Sequence, residues 1–185
     1  MASRTLRPRG LGSLLLDAHP LGCAQSVGDL IAEIPAQDPG PRRRPVVLVI
    51  GSSAGYGLAM TVAALFGQHA SGVGLCYERP AGERMTASAG WYRSCALAAQ
   101  AQAAGLDFTV MNGDCFTAGT KQAVLETLAS RYGPVDYLIY SVAAPRRTDP
   151  RSGITYQSVI KPVTAGCSTK SLRLGDDGGQ VHEVT

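Results

Sequence analysis

Five consecutive apolar residues, 46–50, lead directly into a turn of small residues in the stretch VVLVIGSSAGYG. Glycines recur in this turn at Gly51, Gly55 and Gly57. A fully buried strand of a parallel sheet has this apolar character. Glycine allows the backbone that follows to turn tightly and to approach a phosphate closely. The stretch therefore predicts a strand, a glycine turn and a helix whose first residues hold a nucleotide.

The glycine spacing, G-x-x-x-G-x-G, narrows the class of nucleotide site. It differs from the G-x-G-x-x-G of the commonest dinucleotide fingerprint and from a Walker loop, which needs Gly-Lys-Ser or Gly-Lys-Thr. The spacing is typical of short-chain dehydrogenase/reductase folds. We assign Gly51 to the tight turn, Gly55 to the approach of a pyrophosphate, and Gly57 to close packing of helix on strand. A glycine-rich turn without a ligand is the alternative.

Strand and helix patterns alternate from residue 46 onward. Such alternation requires crossover connections and a parallel sheet covered on both faces. The predicted fold is therefore α/β, a Rossmann-like parallel sheet with helices on both faces that is incomplete because it lacks the C-terminal strands. The predicted strands lie within 46–50, 71–80, 107–114 and 135–145, and the helices at about 55–68, 88–105 and 117–132.

Apolar spacing within two of these helices predicts their inner faces. In the first, Leu58, Val62 and Leu65 form one stripe, and in the third the inner residues are Val124, Leu125 and Leu128. A further helix is predicted near 22–34 from the spacing of Val27, Leu30, Ile31 and Ile34.

Three parts are expected along the chain. Residues 1–45 hold one helix and a Pro- and Gly-rich linker, and residues 46–145 form an NAD-binding Rossmann-like half. Residues 146–185 are loop-rich, with a short hairpin and no further strand–helix unit. Because a complete dinucleotide-binding sheet has at least two more strands, we expect a truncated C-terminal part.

Composition and charge exclude several function classes. Hydrophobic residues make up 45% of the 185, enough for one packed domain, and the net charge of +3 comes from short arginine runs at 42–44 and 146–147. Nucleic-acid binding is therefore not expected. The apolar run 11–16 ends at Asp17, too short for a secretion signal or a membrane span, so a cytoplasmic location without a membrane partner is predicted.

The cysteines predict a reduced compartment. They are odd in number, widely spaced and without any C-x-x-C pattern, so we expect mostly structural roles and no metal site. The five are Cys23, Cys76, Cys95, Cys115 and Cys167.

Acidic and small residues follow the later predicted strands. Glu78, in YERP, is placed to accept hydrogen bonds from the adenosine ribose and to repel a 2′-phosphate, which favours NAD(H) over NADP(H). Asp114, in NGDCF, is placed near the adenine, and SVAAP would pass beneath the nicotinamide end. Each residue also has a plainer alternative. Glu78 could be a solvated carboxylate beside Arg79, and Asp114 could cap the third helix. Ala143 and Ala144 could simply be small residues in a crowded loop.

Six motifs, in the order HPLGC, GSSAGYG, YERP, GWY, NGDCF and YSVAAPRRTDPRSG, resemble the N-terminal part of the FabV-type enoyl-acyl-carrier-protein reductase and trans-2-enoyl-CoA reductase family. The resemblance runs from about residue 9 to beyond residue 162. It implies NADH-dependent reduction of a trans-2-enoyl-ACP or enoyl-CoA thioester in fatty acid synthesis. It also implies that NAD is held by Gly51, Ser52, Ser53, Ala54, Gly55, Tyr56, Tyr77, Glu78, Asp114, Cys115, Val142 and Ala143. Cys115 and Val142 would act mainly through their backbone groups.

The family's catalytic pair, a tyrosine followed nine residues later by a lysine, lies beyond the matched region. No tyrosine of this sequence has a lysine at that spacing, and Tyr156 and Lys161 come closest. We therefore expect no catalytic residue here and an inactive chain. One alternative is an NAD-binding module without catalysis. A short-chain dehydrogenase acting on an alcohol would need Tyr-x-x-x-Lys, which the sequence lacks.

Overall fold

The computed structural model describes residues 10–11, 14–15, 17–35, 43–83, 85–158, 168–175 and 178–184. Four helices are α1 (Pro20–Ala32), α2 (Gly55–Val62), α3 (Ala89–Ala103) and α4 (Ala118–Thr127). The strands are β1 (Gly10–Leu11), β2 (Leu14–Leu15), β3 (Val46–Ile50), β4 (Ser71–Cys76), β5 (Phe108–Asn112), β6 (Tyr137–Tyr140), β7 (Arg146–Thr148), β8 (Thr155–Gln157), β9 (Thr169–Gly175) and β10 (Gly178–Val184).

A parallel four-stranded sheet in the order β5–β4–β3–β6 organises the molecule. From β3 the chain builds outward through β4 to β5, and it then returns to β6 on the opposite side of β3. The strand order therefore reverses between β3 and β6, and at such a switch point α/β sheets open a ligand crevice at the carboxyl edge. The predicted Rossmann-like sheet is confirmed, and the strand predicted at 46–50 has those bounds.

Helices cover both faces of the sheet. On one face Leu58, Val62 and Leu65 join Val27 of α1 and Leu97 of α3 in a buried cluster, which confirms the stripe predicted for α2 and the turn that continues it. On the other face α4 packs onto the apolar side chains of β3 and β4. This two-sided cover explains why β3 is an unbroken apolar run rather than an alternating one.

The inner face predicted for α4 is wrong at one residue. Val124 and Leu128 are buried, but Leu125 is 59% exposed. Residues four apart share one helix face, whereas the next residue is rotated by about 100° around the axis. The inward face of α4 is thus a single narrow stripe that excludes Leu125.

Helix ends follow their local sequence. The α1 helix begins two residues before the predicted start, because Pro20 suits its first turn and the His19 side chain accepts a hydrogen bond from the Gly22 N–H at 3.3 Å. Gly105, with φ of +67°, follows the end of α3 as predicted. The α2 and α4 helices continue into π-helical turns, Ala63–Gly67 and Leu128–Tyr132.

After the sheet, the described residues form antiparallel hairpins rather than a further strand–helix unit. β7 pairs with β8, and β9 pairs with β10. The expected short hairpin is confirmed, and the second one was not predicted. Lys161, Cys167 and most of the predicted linker lie outside the described residues. Within the part of the chain that is described, every helix is too short or too polar to cross a membrane.

Candidate cofactor-binding site

A cleft of about 560 Å³ opens at the carboxyl ends of β3, β4 and β6. The turn after β3, the start of α2, the end of β4, the loop before α4 and the loop after β6 form its walls. All the predicted cofactor residues except Ser52 line it: Gly51, Ser53, Ala54, Gly55, Tyr56, Tyr77, Glu78, Asp114, Cys115, Val142 and Ala143. It is also lined by Ser141, Ala144 and Pro145, which belong to the SVAAP segment expected there, and by five residues that were not predicted, namely Ile50, Leu75, Cys76, Gly113 and Phe116.

Two glycines of the turn are required by close backbone contacts. Gly51 has φ of +92°, and a Cβ there would lie 2.2 Å from the backbone oxygen of Ser141. A Cβ on Gly57 would lie 1.9 Å from the backbone oxygen of Gly51. The turn is thus pressed between the end of β6 and the first turn of α2, as the roles predicted for Gly51 and Gly57 require.

Gly55 differs from these two because the space beside it is open. Its φ is +52°, and a Cβ there would meet nothing within 4 Å. Gly55 is the first residue of α2, and the N-cap residue Ala54 offers no side-chain hydrogen bond. The first N–H groups of a helix lack intrahelical partners and carry partial positive charge. The cleft therefore has uncapped backbone donors beside free space, an arrangement that suits an anionic group such as a pyrophosphate.

The two serines of the turn have separate roles. Ser52 is 2% exposed, and its N–H donates to the Leu75 oxygen at 3.1 Å, so it holds the turn onto β4 from inside the protein. The Ser53 hydroxyl donates to Oε1 of Glu78 at 2.6 Å. The Ser53 side chain therefore connects the glycine turn to Glu78, just beyond the end of β4, at the wall of the cleft.

Glu78 is held on both carboxylate oxygens. Oε1 accepts from Ser53, and Oε2 accepts from the Ser88 hydroxyl at 2.6 Å. The backbone of Glu78 is fixed as well, because its N–H donates to Oδ1 of Asn112 at 2.7 Å and its oxygen accepts from Nδ2 of the same side chain at 2.9 Å. This half-buried carboxylate is thus anchored, unlike the freely solvated one considered above.

Asp114 lies in the loop before α4 and does not cap that helix. Its Oδ1 accepts from the Phe116 N–H at 2.9 Å, which folds the loop. The N-cap of α4 is Thr117, whose hydroxyl accepts from the Thr120 N–H at 3.3 Å. Capping by Asp114 is therefore wrong, and its half-buried side chain belongs to the cleft wall.

Cys115 is unsuited to nucleophilic chemistry. Burial raises the pKa of its thiol, and the neighbouring Asp114 carboxylate raises that pKa further. A thiol with a raised pKa stays protonated at neutral pH and reacts weakly. The cysteine is thus a wall of the cleft, in keeping with the backbone role expected for it.

The loop after β6 closes the far side of the cleft. The Ser141 N–H donates to the Ile50 oxygen at 2.8 Å, so the loop starts in register with β3. Val142 and Ala143 follow along the cleft wall. Tyr156 lies instead on β8, is 57% exposed, and is not part of this wall.

Two family models match adjoining parts of the chain. Residues 5–83 match the NAD(P)H binding domain of trans-2-enoyl-CoA reductase, and residues 85–185 match the trans-2-enoyl-CoA reductase catalytic region. The boundary between the two matches falls in the loop between β4 and α3.

Curated relatives agree with these matches. The chain is 57% identical over 181 residues to the enoyl-[acyl-carrier-protein] reductase [NADH] of Streptomyces avermitilis, covering 97% of this chain and 46% of the relative. It is 40% identical over 183 residues to the protein of the same name from Idiomarina loihiensis, covering 97% of this chain and 45% of the relative. The chain thus spans just under half the length of these relatives.

Solved structures with a similar fold are also trans-2-enoyl-CoA reductases. The Clostridium acetobutulicum trans-2-enoyl-CoA reductase in complex with NADH superposes with a TM-score of 0.84 at 30% identity, over 97% of this chain and 45% of that chain. The Treponema denticola trans-2-enoyl-CoA reductase in complex with NAD gives a TM-score of 0.84 at 32% identity, over 96% of this chain and 46% of that chain.

Proposed function

Because the chain belongs to the trans-2-enoyl-CoA reductase family, we propose that it forms the NADH-binding part of an enoyl-thioester reductase. The observation that carries this proposal is the cleft at the sheet's switch point, where open backbone donors at Gly55 and the anchored Glu78 carboxylate line one wall. Neighbours with the same fold are complexes with NADH or NAD.

The donor set of the cleft fits a dinucleotide from end to end. Gly51 to Tyr56 hold the pyrophosphate, with Gly55 leaving room for it at the start of α2. Tyr77 and Glu78 hold the adenosine ribose, and Asp114 and Cys115 border the adenine. Val142 and Ala143 lie under the nicotinamide end, where small side chains leave space for a ring.

Glu78 sets the preference for NADH in this proposal. A carboxylate accepts hydrogen bonds from the two ribose hydroxyls, whereas it repels the 2′-phosphate of NADPH. Each carboxylate oxygen can accept more than one hydrogen bond, so the contacts to Ser53 and Ser88 leave acceptor capacity for a ribose.

The substrate proposed for the whole protein is an enoyl-ACP or enoyl-CoA of fatty acid synthesis, in the cytoplasm. Bound NADH supplies a hydride to the β-carbon of the enoyl thioester. The residues of this chain bind and orient the cofactor. Since the sequence has no tyrosine–lysine pair at the family's spacing, we propose that the chain alone has no proton donor and does not catalyse the reduction. We also propose that the chain has three parts: an N-terminal segment at 1–45, the NAD-binding half at 46–145 and a loop-rich C-terminal part at 146–185.

Calorimetric titration of the purified chain with NADH and with NADPH tests the cofactor proposal. We expect binding of NADH and weaker binding of NADPH. Glu78→Ala should narrow the gap, whereas Glu126→Ala, an exposed glutamate on α4 that contacts Gln122, should leave it unchanged. Absence of binding to either dinucleotide would overturn the proposal, and equal affinities would remove the role given to Glu78.

A further inference from the structure

The Ser88 hydroxyl occupies the N-cap position of α3 but does not cap the helix. A serine there usually accepts a hydrogen bond from the first turn of its own helix. Ser88 makes no such bond, and its hydroxyl donates instead to Oε2 of Glu78 at 2.6 Å. It also accepts from the Arg79 N–H at 3.2 Å, and the Arg79 backbone oxygen is a second, more distant acceptor at 3.3 Å, so Glu78 is the nearer partner of the hydroxyl proton. The helix start is used to hold a side chain of the cleft.

Gly90, in the first turn of α3, is buried against the same carboxylate. A Cβ on Gly90 would lie 2.0 Å from Oε1 of Glu78 and 2.8 Å from Oε2. The carboxylate therefore rests on the glycine Cα, over the end of a helix that favours negative charge. Any side chain at position 90 would displace it.

Together Ser53, Ser88 and Gly90 confine the carboxylate from three sides. A glutamate side chain is flexible and, when unrestrained, can rotate away from an incoming group. Rejection of a 2′-phosphate requires that the carboxylate cannot move aside, because selectivity depends on a repulsive contact that the competitor cannot avoid. Confinement thus matters more for excluding NADPH than for accepting NADH.

We propose that Ser88 and Gly90 are positioning residues that fix the Glu78 carboxylate and thereby set the selectivity for the unphosphorylated dinucleotide. This inference rests on the proposed function of the cleft. Both residues lie in the part of the chain matched by the catalytic-region model, outside the match to the NAD(P)H-binding domain. The selectivity element therefore spans the boundary between the two matches.

The test compares the dissociation constants of NADH and NADPH for matched variants, measured by calorimetry on the purified chain. In Gly90→Ala the ratio Kd(NADPH)/Kd(NADH) should fall about tenfold, and in Ser88→Ala about threefold, as for loss of a hydrogen bond to a charged group. Ser88→Thr retains the hydroxyl and should retain the ratio. Gly28→Ala is the glycine control, because a Cβ on that residue of α1 would meet nothing within 4 Å.

A double variant separates a positioning role from a general loss of structure. If Gly90 acts through Glu78, Gly90→Ala should not change the ratio further in a Glu78→Ala background. The clash at Gly90 involves only the far end of a flexible side chain, so the variant should fold, and its thermal melting is measured to verify this. If Gly90→Ala does not fold, Ser88→Ala tests the same inference independently.

The outcomes distinguish the inference from the function on which it rests. If the unmodified chain binds neither dinucleotide, both fail. If it prefers NADH and both single variants keep that preference, this inference alone is overturned. This inference is also overturned if Gly90→Ala lowers the ratio Kd(NADPH)/Kd(NADH) by the same factor in the unmodified chain and in the Glu78→Ala variant.

Discussion

Gly51 lies so close to Ser141 that a Cβ on the glycine would be 2.2 Å from the serine's backbone oxygen. This contact brings the turn after β3 against the residue that follows β6. The Ser141 N–H is also bonded to the Ile50 oxygen at 2.8 Å, so neither backbone can withdraw without losing a ladder hydrogen bond. The floor of the cleft is therefore a fixed part of the sheet.

Gly51→Ala should lower the free energy of unfolding by about 2–4 kcal/mol, since a strained backbone and a steric clash coincide there. Urea denaturation measures the change. The matched control is Gly105→Ala, where φ is +67° but a Cβ would meet nothing within 4 Å. That control should lose only about 1–2 kcal/mol, the cost of a left-handed residue. Equal losses in the two variants would contradict the contact described.

Gly55→Ala should affect binding more than stability. Its φ of +52° and open surroundings resemble those of Gly105, so the stability loss should match that control. A methyl group at the start of α2 would occupy the space proposed for the pyrophosphate, and NADH affinity should fall by about tenfold or more. Calorimetric titration of Gly55→Ala and of Gly105→Ala with NADH measures the difference in affinity. Unchanged NADH affinity in Gly55→Ala would place the pyrophosphate elsewhere.

Local sequence signals predicted the fold well where they were strong. The strand Val46–Ile50 was predicted at both ends because its apolar run is bounded by a proline and a glycine. Leu125 was misplaced because its apolar character says nothing about its direction, which is set by the rotation of α4 on the sheet. The hairpin of β9 and β10 was missed because each strand has only two apolar residues, too few for a clear alternation.

The candidate site was harder to predict than the fold. Sequence spacing singled out Glu78, but the Ser53 and Ser88 hydroxyls that hold it come from separate elements that only the folded sheet brings together. Ser52 and Ser53 are neighbours in the sequence and both are buried, yet Ser52 holds the turn onto Leu75 of β4, whereas the Ser53 hydroxyl donates to Glu78. Such differences depend on which way a turn residue points, and no periodic pattern encodes that.

Asp136 should make stability depend on acid pH. The Val46 N–H donates to its Oδ2 at 2.8 Å and Arg43 pairs with Oδ1, and these contacts lower the pKa of the carboxyl. A carboxyl with a lowered folded-state pKa contributes stability above its unfolded pKa and loses it as pH falls through the folded value. Asp136→Asn should therefore be less stable than the unmodified chain at pH 7, and the two should converge as pH falls through the lowered folded-state pKa of Asp136.

Urea denaturation at several pH values measures this difference. Asp29→Asn is the control, since Asp29 lies on the exposed side of α1, where its Oδ1 accepts from Nε2 of Gln25 at 2.7 Å. Arg43→Ala should retain part of the effect because the backbone donor of Val46 remains. A stability difference between Asp136→Asn and the unmodified chain that stays constant down to low pH would contradict the linkage.

The strand β6 should promote self-association of the isolated chain. It pairs with β3 on one side, and Tyr137, Leu138 and Tyr140 are 52%, 64% and 60% exposed. An exposed apolar strand at a sheet edge is a site for pairing with another chain. Light scattering should show mass rising with concentration, and Leu138→Lys should reduce that rise. A monodisperse monomer at high concentration would contradict this prediction.

The chain alone should not reduce enoyl thioesters, even when it binds NADH. The developing enolate would lack a hydrogen-bond donor, a loss that costs on the order of 10²–10³ in rate. A missing proton donor costs on the order of 10²–10⁴. Either loss brings turnover close to background. The assay follows NADH absorbance with crotonyl-CoA, alongside the longer Streptomyces avermitilis relative as a positive control.

Three tyrosine variants make that assay decisive. Tyr156 is exposed on β8 and lies outside the cleft wall, whereas Tyr56 and Tyr77 line the cleft. Robust turnover that disappears in Tyr156→Phe would show that the hairpin of β7 and β8 supplies a proton donor. Turnover that disappears in Tyr56→Phe or Tyr77→Phe would assign the donor to the cleft wall. No turnover with retained NADH binding is the expected result, because this chain is proposed to bind the cofactor and has no tyrosine–lysine pair at the family's spacing.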